Sequence, residues 1–324
     1  MKVLIVRQDK LGDVLLTTPL PTAIKRSSPN TEVHVMVQPA WRDIFDRHPH
    51  VDDVVTTTYK PGLPEYPGVI GTLKRGGYDA VILCKEDSGA HTTCAAWAGI
   101  PARVGFTHKG YGKKLTRNLF DEFSEVRHEV DWLIRMGEAA IGGLLEGGPL
   151  VFNPTLSEQA KADELLDGLD GFFLVAPTTG GTSRSWGAAQ YRDVTQKLIE
   201  RTELTAIITG AQGESEAEQV AADLPDALNL VGQLTLGELA AVQKRARFLV
   251  SGSTGAMHLA AAQATPIMLI ETRIDADKAS QRWAPWQTEH EIALPEVFAN
   301  GESRDPSVDE VLALSEKLFR KIGL

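Results

Sequence analysis

Apolar residues of this chain fall into short runs, separated by segments with the spacing of amphipathic helices. In the first half, runs rich in β-branched residues occupy 2–7, 32–37, 52–57, 79–84 and 103–106. Most of these runs are apolar at successive positions, which is typical of strands buried on both faces in a parallel sheet. Helical spacing is clearest at 14–26, 89–98 and 128–143. This alternation predicts a doubly wound α/β sheet in the first half.

The second half begins the same alternation again. Strand-like runs occupy 171–177, 204–210, 227–232, 247–252 and 266–270, and helical segments occupy 188–201, 214–223, 235–245 and 254–263. The stretch 142–156 between the halves is rich in glycine and proline, as linkers are. We therefore predict two similar α/β domains, 1–150 and 151–305. The tail, 306–324, has an apolar helical face that needs a packing partner, and the domain junction is one candidate.

Composition limits the classes of protein that this sequence can encode. Its 324 residues carry a net charge of −10, which argues against a general nucleic-acid binder. No stretch of about 18 apolar residues is present, and Arg7 interrupts the N-terminal apolar run, so neither a membrane span nor a signal peptide is predicted. We expect a cytoplasmic protein with at most peripheral membrane contact. Cys84 and Cys94 are expected to be buried, reduced thiols.

Ligands of open α/β sheets bind beyond the carboxyl ends of the strands. This rule directs attention to the loops that follow residues 7, 176, 210, 251 and 270. The first of these contains "DKLGD" at 9–13, and the chain has neither a Walker A nor a G-x-G-x-x-G pattern. Gly12 permits a tight turn and the close approach of a ligand. Asp13 is then either the N-cap of the following helix or a general base.

A loop in the second half, "PTTGGTSRSW" at 177–186, has the composition of a phosphate-binding loop. Thr178 and Thr179 offer hydroxyls and backbone amides with little bulk. Arg184 adds a charge that can contact an anion through two N–H groups. A polar surface loop with an exposed arginine is the alternative interpretation.

A second candidate anion site lies in "SGSTGAMHL" at 251–259. Ser253, Thr254 and Gly255 follow a strand and open a helix of small residues. The amides of a first helical turn are unpaired and carry the positive end of the helix dipole. His258 lies about one turn later, where it either reaches the same anion or bonds a nearby carbonyl.

Other polar groups give weaker signals. Glu214 precedes a helix, and it either accepts from ribose hydroxyls or complements the helix dipole. Lys109, Lys113 and Lys114 form a basic loop in an acidic half of the chain, either solvated or in contact with an acidic acceptor or an anionic lipid surface. The acidic tripeptide at 275–277 is only weak evidence for a metal site.

Several of these segments together resemble glycosyltransferase family 9, the ADP-heptose:lipopolysaccharide heptosyltransferases. The similar segments are "KVLIVRQDKLGDVLLTTPL", "HPHVDDVV", "YDAVIL", "RVGF", "PTTGGTSRSWGAAQYRDV" and "LVSGSTGAMHLAAAQATPIML", which lie within residues 2–270. The resemblance implies a GT-B fold, in which two Rossmann-like domains face each other across a cleft. It further implies an N-terminal acceptor-binding domain, a C-terminal nucleotide-sugar-binding domain, and inverting transfer without a metal or other cofactor.

The resemblance assigns roles to residues position by position. It implies that Asp13 is the catalytic base and that Arg184 binds the diphosphate, with Thr178 and Thr179 in the same loop. It places Glu214 at a ribose-binding acid. The remaining matches form the helix-terminus phosphate site: Thr254, Gly255 and His258.

Three positions depart from the family pattern. Ser253 stands where the family has an acid, and Glu271-Thr272-Arg273 stands where the family has a Gly-Pro/Ser-Thr loop. These two departures concern the donor. The third, Lys85-Glu86-Asp87-Ser88, concerns the acceptor.

The favoured hypothesis is transfer of heptose from ADP-heptose to an acidic glycan or glycolipid, such as the lipopolysaccharide inner core. One alternative is an enzyme of the same family with another nucleotide sugar or another acceptor. Two alternatives come from other classes, namely a nucleotide-sugar epimerase on the same fold and a non-catalytic protein that binds a nucleotide sugar.

Overall fold

The computed structural model describes residues 1–86, 88–125, 128–178, 184–273 and 275–324, with the backbone alone at 123–125 and 276–279. The chain divides into two compact units, Met1–Val151 and Phe152–Leu324. This division lies beside the predicted domain boundary at 150/151. Within the described ranges, no helix combines the length and the apolar character needed to cross a bilayer.

The first unit is a six-stranded parallel sheet with helices between its strands. The strands are β1 (Lys2–Val6), β2 (Glu32–Val37), β3 (Asp53–Thr56), β4 (Ala80–Leu83), β5 (Ala102–Gly105) and β6 (Arg117–Asn118). The helices are α1 (Leu11–Thr17), α2 (Pro19–Ser27), α3 (Arg42–Asp46), α4 (Tyr66–Gly76), α5 (Gly89–Ala98) and α6 (Glu129–Ile141). Short 3₁₀ segments lie at Pro39–Trp41, Leu63–Glu65, Gly110–Lys114 and Phe120–Glu125. The strand order is β3-β2-β1-β4-β5-β6.

The second unit is also built on a six-stranded parallel sheet. Its sheet strands are β7 (Phe172–Ala176), β8 (Thr205–Ile208), β9 (Leu228–Asn229), β10 (Leu249–Gly252), β11 (Ile267–Ile270) and β12 (His290–Ala293). A small antiparallel hairpin consists of β13 (Glu296–Val297) and β14 (Ser303–Arg304). The helices are α7 (Leu156–Leu165), α8 (Ala188–Thr202), α9 (Ser215–Asp223), α10 (Leu236–Gln243), α11 (Gly255–Ala262), α12 (Ala276–Trp283) and α13 (Val308–Ile322).

The two sheets have the same connectivity, because the second reads β9-β8-β7-β10-β11-β12. In each unit the first strand lies at the centre, the next two strands extend the sheet to one side, and the chain then crosses to the other side. Each sheet therefore has a switch point, between β1 and β4 in the first unit and between β7 and β10 in the second. Ligands of such sheets bind at this point, beyond the carboxyl ends of the strands.

Apolar strand runs form the core of each unit, as their sequence predicts. Val3, Leu4 and Ile5 of β1 are fully buried, which is what a central parallel strand requires. In the second unit the apolar face of α13 belongs to the core beside α8 and the sheet. We therefore treat α13 as part of that unit. Cys84 and Cys94 are free and buried, as expected, and burial raises the pKa of Cys84 to about 12.

The predicted helix 14–26 is two helices that meet at Thr18. Pro19 is the first residue of α2, where its missing N–H costs nothing. Thr18 donates its hydroxyl to the carbonyl of Leu15 (2.7 Å) and accepts from the backbone N–H of Val151 (2.8 Å). Several elements were not predicted because their sequences are polar or short: α3, α4, α7, α12, β6 and β12–β14.

Candidate active site

Arg7 connects the two loops of the first unit's switch point. It directly follows β1, and its side chain is buried. One guanidinium nitrogen, Nη1, donates to the carbonyl of Cys84, directly after β4, at 3.0 Å. A charged side chain thus lies at the position where the fold places ligands, below the surface of the loop.

Three carboxylates surround this guanidinium. Nε pairs with Asp9 at 2.7 Å, Nη2 with Asp13 at 2.8 Å, and Nη1 with Glu129 at 2.8 Å. Burial by itself would lower the pKa of Arg7, but the three carboxylates raise it well above its usual value. Arg7 and Glu129 are buried, whereas the Asp13 side chain is 24% exposed. Asp13 is therefore the member of the group with the greatest access to solvent and substrate.

The pKa of Asp13 is raised to about 6, chiefly by burial. Arg7 and Lys85 act in the opposite direction, while the negative charges of Asp9 and Glu129 raise the pKa further. A carboxylate that takes up a proton near neutral pH has the basicity required of a general base. This geometry agrees with the role predicted for Asp13 without testing it.

The alternative interpretation of Asp13 as a helix N-cap is wrong. Helix α1 begins at Leu11 and its N-cap is Lys10, so Asp13 is the third residue of the first turn. Gly12 is likewise helical, and the tight turn predicted at Gly12 ends before it. The helix starts at Leu11, whereas the prediction began at residue 14. Its first turn includes Gly12, although glycine has a weak helix propensity.

The second unit brings Thr178 and Glu214 together. Thr178 lies beyond β7, and its hydroxyl donates to the Glu214 carboxylate at 2.8 Å. The same carboxylate oxygen accepts from the backbone N–H of Ala211 at 2.8 Å. Glu214 occupies the N-cap position of α9 without a side-chain cap bond. Thr179, predicted in the same loop as Thr178, lies outside the described residues.

Arg184 lies at the surface of the second unit, with 56% of its side chain exposed. Its guanidinium pairs with Asp305, in the segment before α13. Its backbone carbonyl accepts from the hydroxyl of Thr272 at 2.5 Å. The loop is therefore held at Arg184, while the exposed ion pair leaves the guanidinium accessible to an anion.

The N-terminus of α11 lies at the second unit's switch point. Thr254 is its N-cap and accepts from the N–H of Met257 at 3.3 Å, and Gly255 is its first residue. Ser253 and His258 are buried beside it. The prediction that Ser253, Thr254 and Gly255 open a helix is confirmed, while the binding of an anion at this helix start stays a prediction.

Residues 69–300 match the profile of Glycosyltransferase family 9 (heptosyltransferase). The chain belongs to glycosyltransferase family 9. This confirms the resemblance noted from the sequence segments, and with it the general activity of sugar transfer.

Individual relatives agree with the family assignment. The lipopolysaccharide heptosyltransferase 1 of Pseudomonas aeruginosa is 26% identical over 289 residues, covering 83% of this chain and 78% of the relative. A family 9 glycosyl transferase from Veillonella parvula has a TM-score of 0.82 at 17% identity, covering 99% of this chain and 97% of that structure. An E. coli heptosyltransferase solved with ADP has a TM-score of 0.72 at 19% identity, covering 98% and 100%. These likenesses confirm the predicted GT-B fold.

In this family 9 glycosyltransferase, two departures from the family pattern are in contact. The buried Glu271 carboxylate pairs with Arg273 at 2.9 Å and accepts from the backbone N–H of Thr272 at 3.0 Å. The Arg273 guanidinium also reaches Ser253 Oγ at 3.5 Å. Arg273 thus links Glu271, directly after β11, to Ser253, directly after β10.

The predicted basic loop is the 3₁₀ turn Gly110–Lys114 and the residue before it. Lys109 and Lys113 are exposed. Lys114 is half-buried and donates to Thr93 Oγ1 at 3.0 Å. The loop therefore presents positive charge at the surface and is attached to α5 through one lysine.

Within the part of the chain that the structure describes, no group of three or more His, Cys, Asp or Glu side chains is arranged to hold a metal. Of the acidic tripeptide at 275–277, the side chain of Asp277 lies outside the described residues. The expectation of metal-independent transfer stays a prediction.

Sequence reasoning missed the partners of Asp13. Arg7 was noted only as an interruption of an apolar run, and Glu129 lies 122 residues away at the start of α6. The available signal was an arginine at the carboxyl end of a central strand, flanked by two acids in the next six residues. A charge buried at that position requires carboxylate partners.

Proposed function

We propose that this glycosyltransferase moves heptose from ADP-heptose to a hydroxyl of an acidic glycan or glycolipid, such as the lipopolysaccharide inner core, with inversion at the anomeric carbon. One observation carries the proposal: a partly exposed carboxylate at the switch point, Asp13, is held by a buried arginine and has a pKa raised to about 6.

The reaction is a single displacement. Asp13 accepts the proton of the acceptor hydroxyl while the acceptor oxygen forms a bond to the anomeric carbon. The bond from that carbon to the diphosphate breaks, and the nucleoside diphosphate leaves with the electron pair. As in glycoside hydrolysis, the transition state has oxocarbenium character. One carboxylate is sufficient because a diphosphate leaves without being protonated.

The leaving group develops negative charge that the second unit can stabilise. Arg184 supplies a guanidinium, and the first-turn amides of α11 at Thr254 and Gly255 supply neutral donors. Ser253 and His258 adjoin this helix start. The proposal therefore assigns the charge compensation to protein groups, without a metal.

The rest of the donor site is proposed from the loops after β7 and β8. Glu214 would accept from ribose hydroxyls, and Thr178 and Thr179 would contact the diphosphate. Because Glu214 already accepts from Thr178, donor binding would exchange or share that hydrogen bond. The ADP in the related E. coli structure supports an adenine nucleotide.

The acceptor is proposed to contact the first unit. Gly12 leaves space beside Asp13, because it has no side chain. Lys109 and Lys113 offer exposed positive charge to an acidic glycan, and Lys114 contributes from a more buried position. The name of the Pseudomonas aeruginosa relative supports a lipopolysaccharide acceptor.

The test of the base is Asp13→Asn. Asn keeps the size of the side chain but cannot take the proton, so turnover should fall by a factor of about 10² to 10⁴. Donor affinity, measured by calorimetry, should stay within about twofold. Asp43→Asn, at an exposed position of the same unit, is the matched control and should retain full turnover. Near-normal turnover of the Asp13 variant would refute the assignment.

Thermal shift distinguishes the donor nucleotide. At equal concentration, a ligand that binds the folded state more tightly raises Tm more, so ADP and its sugars should raise Tm more than UDP or GDP and their sugars. A preference for UDP or GDP would contradict the ADP-heptose donor. Binding of an ADP-sugar with no transfer to any acceptor would favour the non-catalytic alternative.

A further inference from the structure

The group around Arg7 contains more negative charge than is needed to hold Asp13. One guanidinium faces three carboxylates, which gives the group a formal charge of −2 if all are ionised. Burying charges is costly, and one partner would be enough to orient Asp13. The two further acids, Asp9 and Glu129, therefore need an explanation.

The geometry shows what these two acids do to Arg7. Nε is taken by Asp9, and Nη1 is shared by Glu129 and the carbonyl of Cys84. This leaves Nη2 for Asp13. The planar guanidinium is thus fixed on two sides by other elements, and it offers Asp13 one edge in one orientation.

Glu129 is itself held in place by its helix. It is the first residue of α6, whose N-cap His128 accepts from the N–H of Val130 at 3.2 Å. A carboxylate in the first turn is stabilised by the positive end of the helix dipole. Glu129 therefore has a fixed position next to Arg7, where its carboxyl group contacts Nη1 at 2.8 Å.

We propose that Glu129, together with Asp9, is a positioning residue for Asp13: the two acids orient Arg7 toward Asp13 and offset its charge, so that Asp13 remains an effective base. As a statement about catalysis this rests on the proposed function, whereas the coupling between Glu129 and Asp13 does not depend on it.

Two cations near Asp13 explain why the negative charges of Asp9 and Glu129 are needed. An arginine in contact with a carboxylate typically lowers its pKa by about 1 to 3, which would make Asp13 a weak base. Lys85 acts in the same direction. Burial, Asp9 and Glu129 act against both cations, with a pKa of about 6 as the result. Without the two acids, the positive charges of Arg7 and Lys85 would be less offset and Asp13 would be less basic.

The test is a carboxyl titration of the full-length protein by NMR, with ¹³C-labelled aspartate and the Asp13 signal assigned by its absence in Asp13→Asn. In Glu129→Gln the Asp13 pKa should fall from about 6 by about one pH unit, because a nearby like charge is removed. Asp131→Asn, at an exposed position in the first turn of the same helix, is the control and should leave the Asp13 pKa unchanged.

A second variant guards against misfolding of Glu129→Gln. Asp9→Asn leaves α6 intact and should move the Asp13 pKa in the same direction. An unchanged Asp13 pKa in whichever of the two variants folds would overturn the inference, even if Asp13 is the base.

The pH dependence of turnover gives the catalytic readout. The acidic limb of the rate profile should move to lower pH in parallel with the NMR value, which loss of a merely structural contact would not produce. If Asp13→Asn kept its turnover, the proposed function would fail, whereas the NMR coupling would be judged separately.

Discussion

The switch points of the two units have the same topology and opposite chemistry. In the first unit, the turn after β1 is built from a buried guanidinium and three carboxylates. In the second unit, the start of α11 consists of a hydroxyl cap and small residues, and the arginine of the neighbouring loop lies at the surface. Topology therefore determines where a ligand can bind, and the side chains determine the chemistry.

The difference in burial has an energetic meaning. Taking ions out of water costs several kcal/mol each unless partners compensate for it. A proton acceptor needs a fixed position and an adjusted basicity, which only nearby charges and burial supply. An anion site needs N–H donors, and the backbone of a helix start supplies these without any buried charge.

The largest expected effect is that of Arg7→Gln on stability. Removing the guanidinium leaves three carboxylates near each other in a buried site, which should cost about 3–5 kcal/mol of unfolding free energy at neutral pH. Urea denaturation measures this. Arg42→Gln breaks an exposed pair with Asp46 in the same unit and should cost less than about 1 kcal/mol. Equal losses of unfolding free energy in the two variants would show that burial does not make the Arg7 ion pairs more important for stability.

Asp13→Asn should stabilise the protein at neutral pH. The folded-state pKa of Asp13, about 6, lies above the ordinary value of 3.8, so the folded state binds this proton more tightly than the unfolded state. Ionisation of Asp13 therefore costs stability as pH rises from about 4 to about 6, and the full cost persists above. Asn avoids it, with a gain of about 3 kcal/mol at pH 7.5 that disappears near pH 4. Denaturation series at both pH values check this, and a destabilised variant at pH 7.5 would contradict it.

Arg184→Gln should affect ligand binding and leave stability almost unchanged. Loss of a charge-assisted contact with the diphosphate should weaken ADP binding about tenfold, or about 1.4 kcal/mol, by calorimetry. Stability should change by less than about 1 kcal/mol, because the Arg184–Asp305 pair is exposed. Asp305→Asn is the informative partner variant, since it releases the guanidinium and should preserve or strengthen ADP binding. Weaker binding in Asp305→Asn would argue against a role of Arg184 in binding the donor.

The smallest expected effect is that of Thr254→Ala. Loss of the N-cap oxygen of α11 should cost about 1 kcal/mol of stability and loosen the helix start. Thr254→Ser retains the oxygen and should recover most of this loss. Urea denaturation of the two variants separates the contribution of the cap hydrogen bond to stability from that of the threonine methyl group.

Much of the fold could be predicted because each central strand is a continuous apolar run. The run at 2–7 predicts β1 to within one residue, and the start of α11 was predictable from the hydroxyl and small residues that follow an apolar strand. The short edge strands carry no such pattern. Strand β6, for example, consists only of Arg117 and Asn118.

The candidate site was predictable where a residue acts locally, and not where its role depends on distant partners. Asp13 could be singled out beside a glycine after a strand. Its partner Arg7 is in turn held by Glu129, which lies 122 positions further along the chain and reaches Arg7 only in the folded unit. The relation of Ser253 to Arg273 was likewise invisible, because two separate departures from a pattern give no sign that they touch.

The contact among Ser253, Glu271 and Arg273 has a consequence for how this enzyme could change by mutation. Restoring an acid at position 253 alone would place a second carboxylate beside a guanidinium that Glu271 already neutralises. Replacing Glu271 alone would leave Arg273 without its buried partner. The three positions are therefore coupled, so the effects of single substitutions among them should not add.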